Sequence, residues 1–203
     1  MADKPIRIAI TPPLPNPATI PDLANKITTL LTTAGWNRVH IRFPDACDCH
    51  IRELIRQIPA ALWPRLTIHN NQQLATLYGC GIQLTGKQPR LQVPRPASLS
   101  VSCHSADDVI AAAALGADYA TLSPVFNSIS KPGYNATPFS STQYSQIQSA
   151  PIKTIALGGI STDTIPLLPP DIFDGYAVLG ALPWDRDIRQ FLNVASSFTN
   201  PLI

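Results

Sequence analysis

The residues best equipped for chemistry fall in three stretches of the second half of the chain. Ser123-Pro124-Val125-Phe126-Asn127-Ser128-Ile129-Ser130-Lys131-Pro132-Gly133-Tyr134 places two hydroxyls, Ser128 and Ser130, just ahead of the Lys131 ammonium. Hydroxyl donors beside one point charge make a compact cradle for an anion. In Ile155-Ala156-Leu157-Gly158-Gly159-Ile160-Ser161 neither glycine carries a Cβ, so backbone N–H groups can approach a phosphate closely. A helix expected to begin near Ser161 would add a favourable dipole. Ala177-Val178-Leu179-Gly180-Ala181 would supply the facing backbone. Each glycine stretch would also serve as a plain tight turn, but their joint placement points to phosphate.

Histidines are the other candidates. His40, His69 and His104 fall within or just after predicted strands, so their imidazoles could meet at one end of a sheet and act as acid or base near neutral pH. A lone histidine is more often structural, and His50 sits on a flanking helix. Four cysteines, Cys47, Cys49, Cys80 and Cys103, are too few and too irregular for a disulfide scaffold. Cys47-Asp48-Cys49-His50 has a shorter gap than zinc sites use and lacks a second ligand pair.

The elements that must position these residues alternate between β-type and helix-type patterns. Ile6–Ile10, 38–43, 66–68, 81–84, 98–102, 118–122, 152–157 and 173–179 read as strands. Helical spacing follows over 21–34, 51–58, 72–78, 105–115, 142–148, from 161, and over 188–198, while 85–96 shows little helical pattern. Alternation of this kind argues for parallel pairing, and eight units close naturally into a compact (β/α)8 TIM barrel, a single α/β domain over residues 1–203. An open doubly wound sheet is the alternative, although no GxGxxG follows the first strand. In a barrel, ligands bind at the C-terminal ends of the strands, with phosphate at loops seven and eight.

Composition excludes several function classes. With 203 residues and 45% hydrophobic content, the chain can fill a sizeable core and is not disordered. Fifteen Lys and Arg against thirteen Asp and Glu leave +2, too little for a sequence-independent nucleic-acid binder. The longest apolar run, Val109–Ala117, is nine residues, about half of a membrane span. The start of the chain lacks a secretory signal, which makes the cytoplasm the expected location. Small phosphorylated substrates are the expected partners, and a homo-oligomer is left open.

Taken together, these motifs resemble the thiamine phosphate synthase/TenI family over nearly the whole chain. The most specific stretch runs from Gly116-Ala117-Asp118-Tyr119 into Ser123-Pro124-Val125-Phe126 and Ser128-Ile129-Ser130-Lys131-Pro132-Gly133. Ser102-Cys103-His104-Ser105, Ala156-Leu157-Gly158-Gly159-Ile160 and Val178-Leu179-Gly180-Ala181 support it. The resemblance implies a transferase of thiamine biosynthesis that joins hydroxymethylpyrimidine diphosphate to thiazole phosphate and releases pyrophosphate. It further implies that Arg42 and Lys131 hold the diphosphate and that Ser102 contributes a hydroxyl. Ser128 and Ser130 would contact the thiazole phosphate, with Gly158, Gly159, Leu179 and Gly180 completing its backbone nest.

Several positions depart from the family pattern. Val39-His40-Ile41-Arg42-Phe43-Pro44 keeps the arginine of strand two but loses its Gln, Glu and Lys. The two Mg²⁺ carboxylates implied by the resemblance are amides here, Asn70 and Gln88, so an intact Mg²⁺ site is not expected. The sister activity, a metal-independent thiazole tautomerase, uses a histidine just before the Val-Phe of strand six, where this chain has Pro124. Two alternatives to the synthase therefore stand: a tautomerase-like isomerase using His40, His69 or His104, and a non-catalytic thiazole phosphate-binding or regulatory protein.

Overall fold

A computed structural model describes residues 4–14, 16–85, 90–127 and 139–199. Eight strands, β1 (Ile6–Ile10), β2 (Arg38–Ile41), β3 (Leu66–His69), β4 (Gly81–Leu84), β5 (Leu99–Cys103), β6 (Tyr119–Leu122), β7 (Lys153–Ala156) and β8 (Gly175–Val178), pair in chain order. Every pairing is parallel, and β1 returns to β8, so the sheet closes into a barrel. The expected TIM barrel is thus the observed fold, and the open doubly wound sheet is not.

Outside the strands lie α1 (Ile20–Thr32), α2 (Asp48–Arg56), α3 (Gln72–Tyr78), α4 (Ala106–Ala114), α5 (Ser141–Ser149) and α6 (Ile188–Ser197). Their ends follow from local chemistry. The Ser105 hydroxyl accepts from the Asp108 amide at the start of α4, Asn71 caps α3, and Gly79 ends α3 in the left-handed region. Among the described residues, no helix is long and apolar enough to cross a membrane.

One predicted helix is absent. After Gly158-Gly159 the chain makes a turn at Ser161–Thr164 and then only a short 3₁₀ segment, Ile165–Leu167. Pro166, Pro169 and Pro170 remove amide donors where a helix would need them. The Ser161 amide is already held by Thr164 Oγ1 at 2.8 Å, so no helix dipole faces the β7 loop.

Strand residues of one parity pack outward under the helices, as Val39, Ile41, Leu66, Ile68, Ile82, Leu99, Val101, Ala120 and Leu122 do. Residues of the other parity fill the barrel, and the two sides of that interior differ. Around β7, β8 and β1 it is apolar, with Ile155, Ala177, Ile8 and Ile10 packed together. Around β2 to β6 it is polar: His40, Thr67, Gln83, Ser98, Ser100 and Thr121 are all buried.

Candidate active site

Loops six and seven are joined at the C-terminal end of the barrel. The Val125 amide donates to the Leu157 carbonyl at 2.9 Å, and the Phe126 amide donates to the Gly158 carbonyl at 3.0 Å. Gly158 and Gly159 have φ of 93° and 65°, in the region that favours glycine. A Cβ on Gly158 would stand 2.8 Å from Cα of Pro124. The missing side chains thus admit the neighbouring loop. The amides of Gly158, Gly159 and Gly180 donate to no acceptor among the described residues. Because β7 and β8 are neighbours, these amides belong to adjacent loops.

Beside Gly180 opens a cavity of about 660 Å³ between the β1 and β8 loops, lined among others by Pro12, Asp22, Arg42, Leu179, Gly180 and Trp184. Arg42 is half-buried at the end of β2, where its own amide donates to Thr11 Oγ1 at 3.0 Å. One wall is anchored by Lys26, which is 1% exposed, ion-pairs with Asp22, and donates to the Trp184 carbonyl at 2.9 Å.

The barrel interior carries a chain of polar side chains from its closed end to this mouth. Arg38 Nη1 donates to Thr67 Oγ1 at 3.1 Å, and Thr67 Oγ1 lies 3.4 Å from Tyr119 Oη. Tyr119 Oη is 2.7 Å from His40 Nε2, and His40 Nδ1 is 3.1 Å from His69 Nε2. Burial, followed by the neighbouring His69 and Arg38, holds His40 well below the usual histidine pKa. Burial and then the Arg42 charge lower His69 to about 3, and burial raises Tyr119. Both imidazoles are therefore neutral at pH 7. A second network holds Ser102, whose Oγ accepts from Gln83 Nε2 at 2.8 Å; the same Nε2 donates to Thr121 Oγ1 at 3.1 Å.

The predicted convergence of three histidines holds for two. His104 does not join the pair, because its Nδ1 donates to the Ser123 carbonyl at 2.7 Å and so ties the β5 loop to the β6 loop. Asn70, at φ 57°, accepts from Thr85 Oγ1 at 2.7 Å. Ser128, Ser130, Lys131 and Gln88 lie outside the described residues. Cys47 and Cys49 are joined to each other, a local clasp at the start of α2 with no scaffold role.

Residues 10–182 match the thiamine monophosphate synthase family. The chain belongs to that family. The thiamine-phosphate synthase of Methanoregula boonei is 29% identical over 156 residues, covering 71% of this chain and 69% of that protein. The crystal structure of thiamine phosphate pyrophosphorylase from Bacteroides thetaiotaomicron superposes with a TM-score of 0.76 at 22% identity, over 97% of this chain and 96% of that one. The thiamine phosphate pyrophosphorylase of Pyrococcus furiosus gives 0.71 at 18%, over 98% and 97%.

Within this thiamine monophosphate synthase barrel, sequence reasoning missed Tyr119, Thr67 and Gln83, which hold the two histidines and Ser102 in place. Their signal was present. Strands buried on both faces should read as continuous apolar runs, yet Arg38-His40-Arg42, Thr67-His69, Ser98-Ser100-Ser102 and Tyr119-Thr121-Ser123 put a polar side chain at every second position. Trp184 and Lys26 were missed as well, since their pairing joins α1 to a segment more than 150 residues away.

Proposed function

We propose that this protein is a thiamine phosphate synthase-type alkyl transferase that seats thiazole phosphate on the amides of Gly158, Gly159 and Gly180. The observation that carries the reading is that, among the described residues, the amides of Gly158, Gly159 and Gly180 on adjacent loops meet no acceptor, and that Gly180 also lines the Arg42 cavity. Arg42 and Lys131 would receive the diphosphate of the pyrimidine substrate, and Ser102, Ser128, Ser130 and Leu179 would complete the contacts. The C–O bond to the diphosphate breaks, pyrophosphate leaves with the electron pair, and the thiazole nitrogen supplies the pair for the new N–C bond.

Members of the family are expected to neutralise the leaving diphosphate with Mg²⁺, which supplies positive charge to the departing oxygens. The residues at hand do not fit it. Asn70 is a neutral amide whose oxygen is engaged by Thr85, and hard Mg²⁺ prefers charged oxygens. Among the described residues, the only group of three His, Cys, Asp or Glu donors is Cys47, Cys49 and His50, which is not a carboxylate set. Neutralisation therefore falls to the cationic side chains.

The test is to incubate the protein with both phosphorylated substrates, with Mg²⁺ or with a chelator, and to follow thiamine phosphate. Product in both conditions is the expected result. No product in either, together with no calorimetric binding of thiazole phosphate, would overturn the proposal. Binding without product would favour the regulatory reading.

The contact between buried His40 and the partly exposed His69 favours a second reading, a metal-independent thiazole tautomerase in which His69 exchanges a proton with the substrate. Solvent-hydrogen exchange into the thiazole carboxylate tautomer, lost in His69→Ala, is the result that would support it. Unchanged exchange would remove it.

A further inference from the structure

We propose that Cys47, Cys49 and His50, at the start of α2, form a site for one thiolate-preferring cation of the zinc group, available in the dithiol form and closed when the two sulfurs are joined. The site is independent of the anion-binding loops of the transferase reading.

Two cysteines one residue apart cannot by themselves make a structural zinc site, which takes four protein ligands. The folding of α2 adds a third donor. Cys47 is the N-cap residue, in extended backbone, and its carbonyl accepts from the His50 amide at 3.1 Å. That first turn brings His50 Nδ1 to 3.8 Å from Cys47 Sγ. The donor atoms of Cys47, Cys49 and His50 all lie within 4.8 Å of one another, and the Cα atoms of the two cysteines are 5.2 Å apart. Two thiolates and an imidazole on a tetrahedral cation stand about 3.5–3.8 Å from one another, given bonds of about 2.3 Å to sulfur and about 2.0 Å to nitrogen. Once the S–S bond is open, side-chain rotation suffices to reach that spacing.

The surroundings leave this donor set free for a soft ion. Cys47 makes no side-chain capping hydrogen bond, although an N-cap side chain usually supplies an oxygen for that purpose. Asp48, between the cysteines, accepts instead from Asn71 Nδ2 at 2.7 Å, so the donors are two sulfurs and one nitrogen. Such a set selects zinc-group ions over Mg²⁺ or Ca²⁺ and leaves the fourth position to water. The amides at the start of a nine-residue helix favour the thiolate, which is the form that binds metal. Both cysteines are exposed and His50 is half-buried, so a cation can enter without any opening of the fold. Cys80 and Cys103 do not compete, because both are buried and burial pushes their thiols up to about 12. The joined and metal-bound forms exclude each other. A thiol reductant delivers two electrons and two protons to the bond between Cys47 and Cys49, giving two thiols and the reductant's own disulfide; the cation then displaces both thiol protons to solvent.

Titration of the full chain with Cd²⁺ at neutral pH, after reduction by a phosphine that adds no competing thiol, reads the site through thiolate-to-metal absorption in the ultraviolet. One equivalent is expected to bind the reduced protein and none the oxidised protein. The double variant Cys47→Ser, Cys49→Ser, which keeps Cys80 and Cys103, should lose the absorption. His50→Ala should weaken binding by about tenfold or more, since losing even the partner that orients a ligand costs about 10–100-fold. Absence of a one-to-one complex with the reduced protein overturns the proposal. So does equal binding by the oxidised protein, an unchanged absorption in the double variant, or an unchanged affinity in His50→Ala, with circular dichroism confirming that each variant is folded.

Discussion

Gly159 in the β7 loop lies against Phe126 in the β6 loop so closely that a methyl group on the glycine would stand 2.6 Å from Cβ of the phenylalanine. Real Cβ atoms do not sit there, and the Phe126 backbone that would have to move is held by its hydrogen bond to Gly158. The glycine pair therefore joins two loops first and offers amides second. Gly159→Ala should combine left-handed strain with this collision, for a loss of more than about 2 kcal/mol. Gly79 is the control. It also has positive φ, but its missing Cβ faces open space, so Gly79→Ala should cost only about 1 kcal/mol. Urea denaturation of both variants checks the order, and equal losses would mean that the loop contact is not what requires glycine.

The neutral histidine pair makes stability depend on pH in a predictable direction. Both folded-state pKa values are lowered, His69 to about 3 and His40 well below 6.5. The unfolded chain takes up these protons below about 6.5 while the folded chain does not. Their contribution is complete above that pH and is lost as pH falls toward the folded values, by up to about 1.4 kcal/mol per pH unit for each group. Urea midpoints between pH 7 and 5 should fall accordingly. His40→Gln keeps a donor and an acceptor but cannot titrate, so it should flatten the slope. A native midpoint constant over that range would contradict the burial of neutral imidazoles.

The fold was legible because strand-type runs recurred eight times, with helix-type spacing after seven of them. The missing helix after Ser161 was legible in principle, since Pro166, Pro169 and Pro170 stood in its path, but the preceding Gly-Gly suggested a helix start. The site was half legible. Arg42, Leu179 and Gly180 do share a cavity. What stayed hidden depends on pairing across the barrel: which strand neighbours which decides that Tyr119 reaches His40 across 79 positions of sequence, while His104 turns to Ser123 instead. Periodicity assigns a side chain to a face, whereas its partner there comes from register.

Arg42 should be sensitive to conservative change. It is the arginine lining the cavity, and its fork can bind two phosphate oxygens at once where a lysine offers a point charge. Under the proposed transferase function, Arg42→Lys should raise the KM for the diphosphate substrate by roughly tenfold, about 1.4 kcal/mol, with a smaller effect on thiazole phosphate affinity. Equal weakening for both ligands would assign Arg42 to the thiazole side instead. Steady-state kinetics together with calorimetry separate the two outcomes.

Lys26 is the buried cation on which the cavity wall rests, and its removal and its partner's removal should differ. In Lys26→Met the methionine occupies much of the stem volume, the Trp184 carbonyl loses its donor, and Asp22, 54% exposed, returns to water. The expected loss is about 1–2 kcal/mol, that of one unsatisfied buried acceptor. In Asp22→Leu the ammonium stays 1% exposed, over the Phe191 ring at 5.7 Å and with one carbonyl for company. Leaving one member of such a pair uncompensated costs about 3 kcal/mol, the lower end of the usual range because water can approach through the exposed Asp22 side. The double variant, with no buried charge left, should be close to Lys26→Met alone. Denaturant midpoints of the three variants test this ranking. If Asp22→Leu proves milder than Lys26→Met, the carboxylate does not compensate the ammonium, and the wall is held by the Lys26–Trp184 hydrogen bond alone.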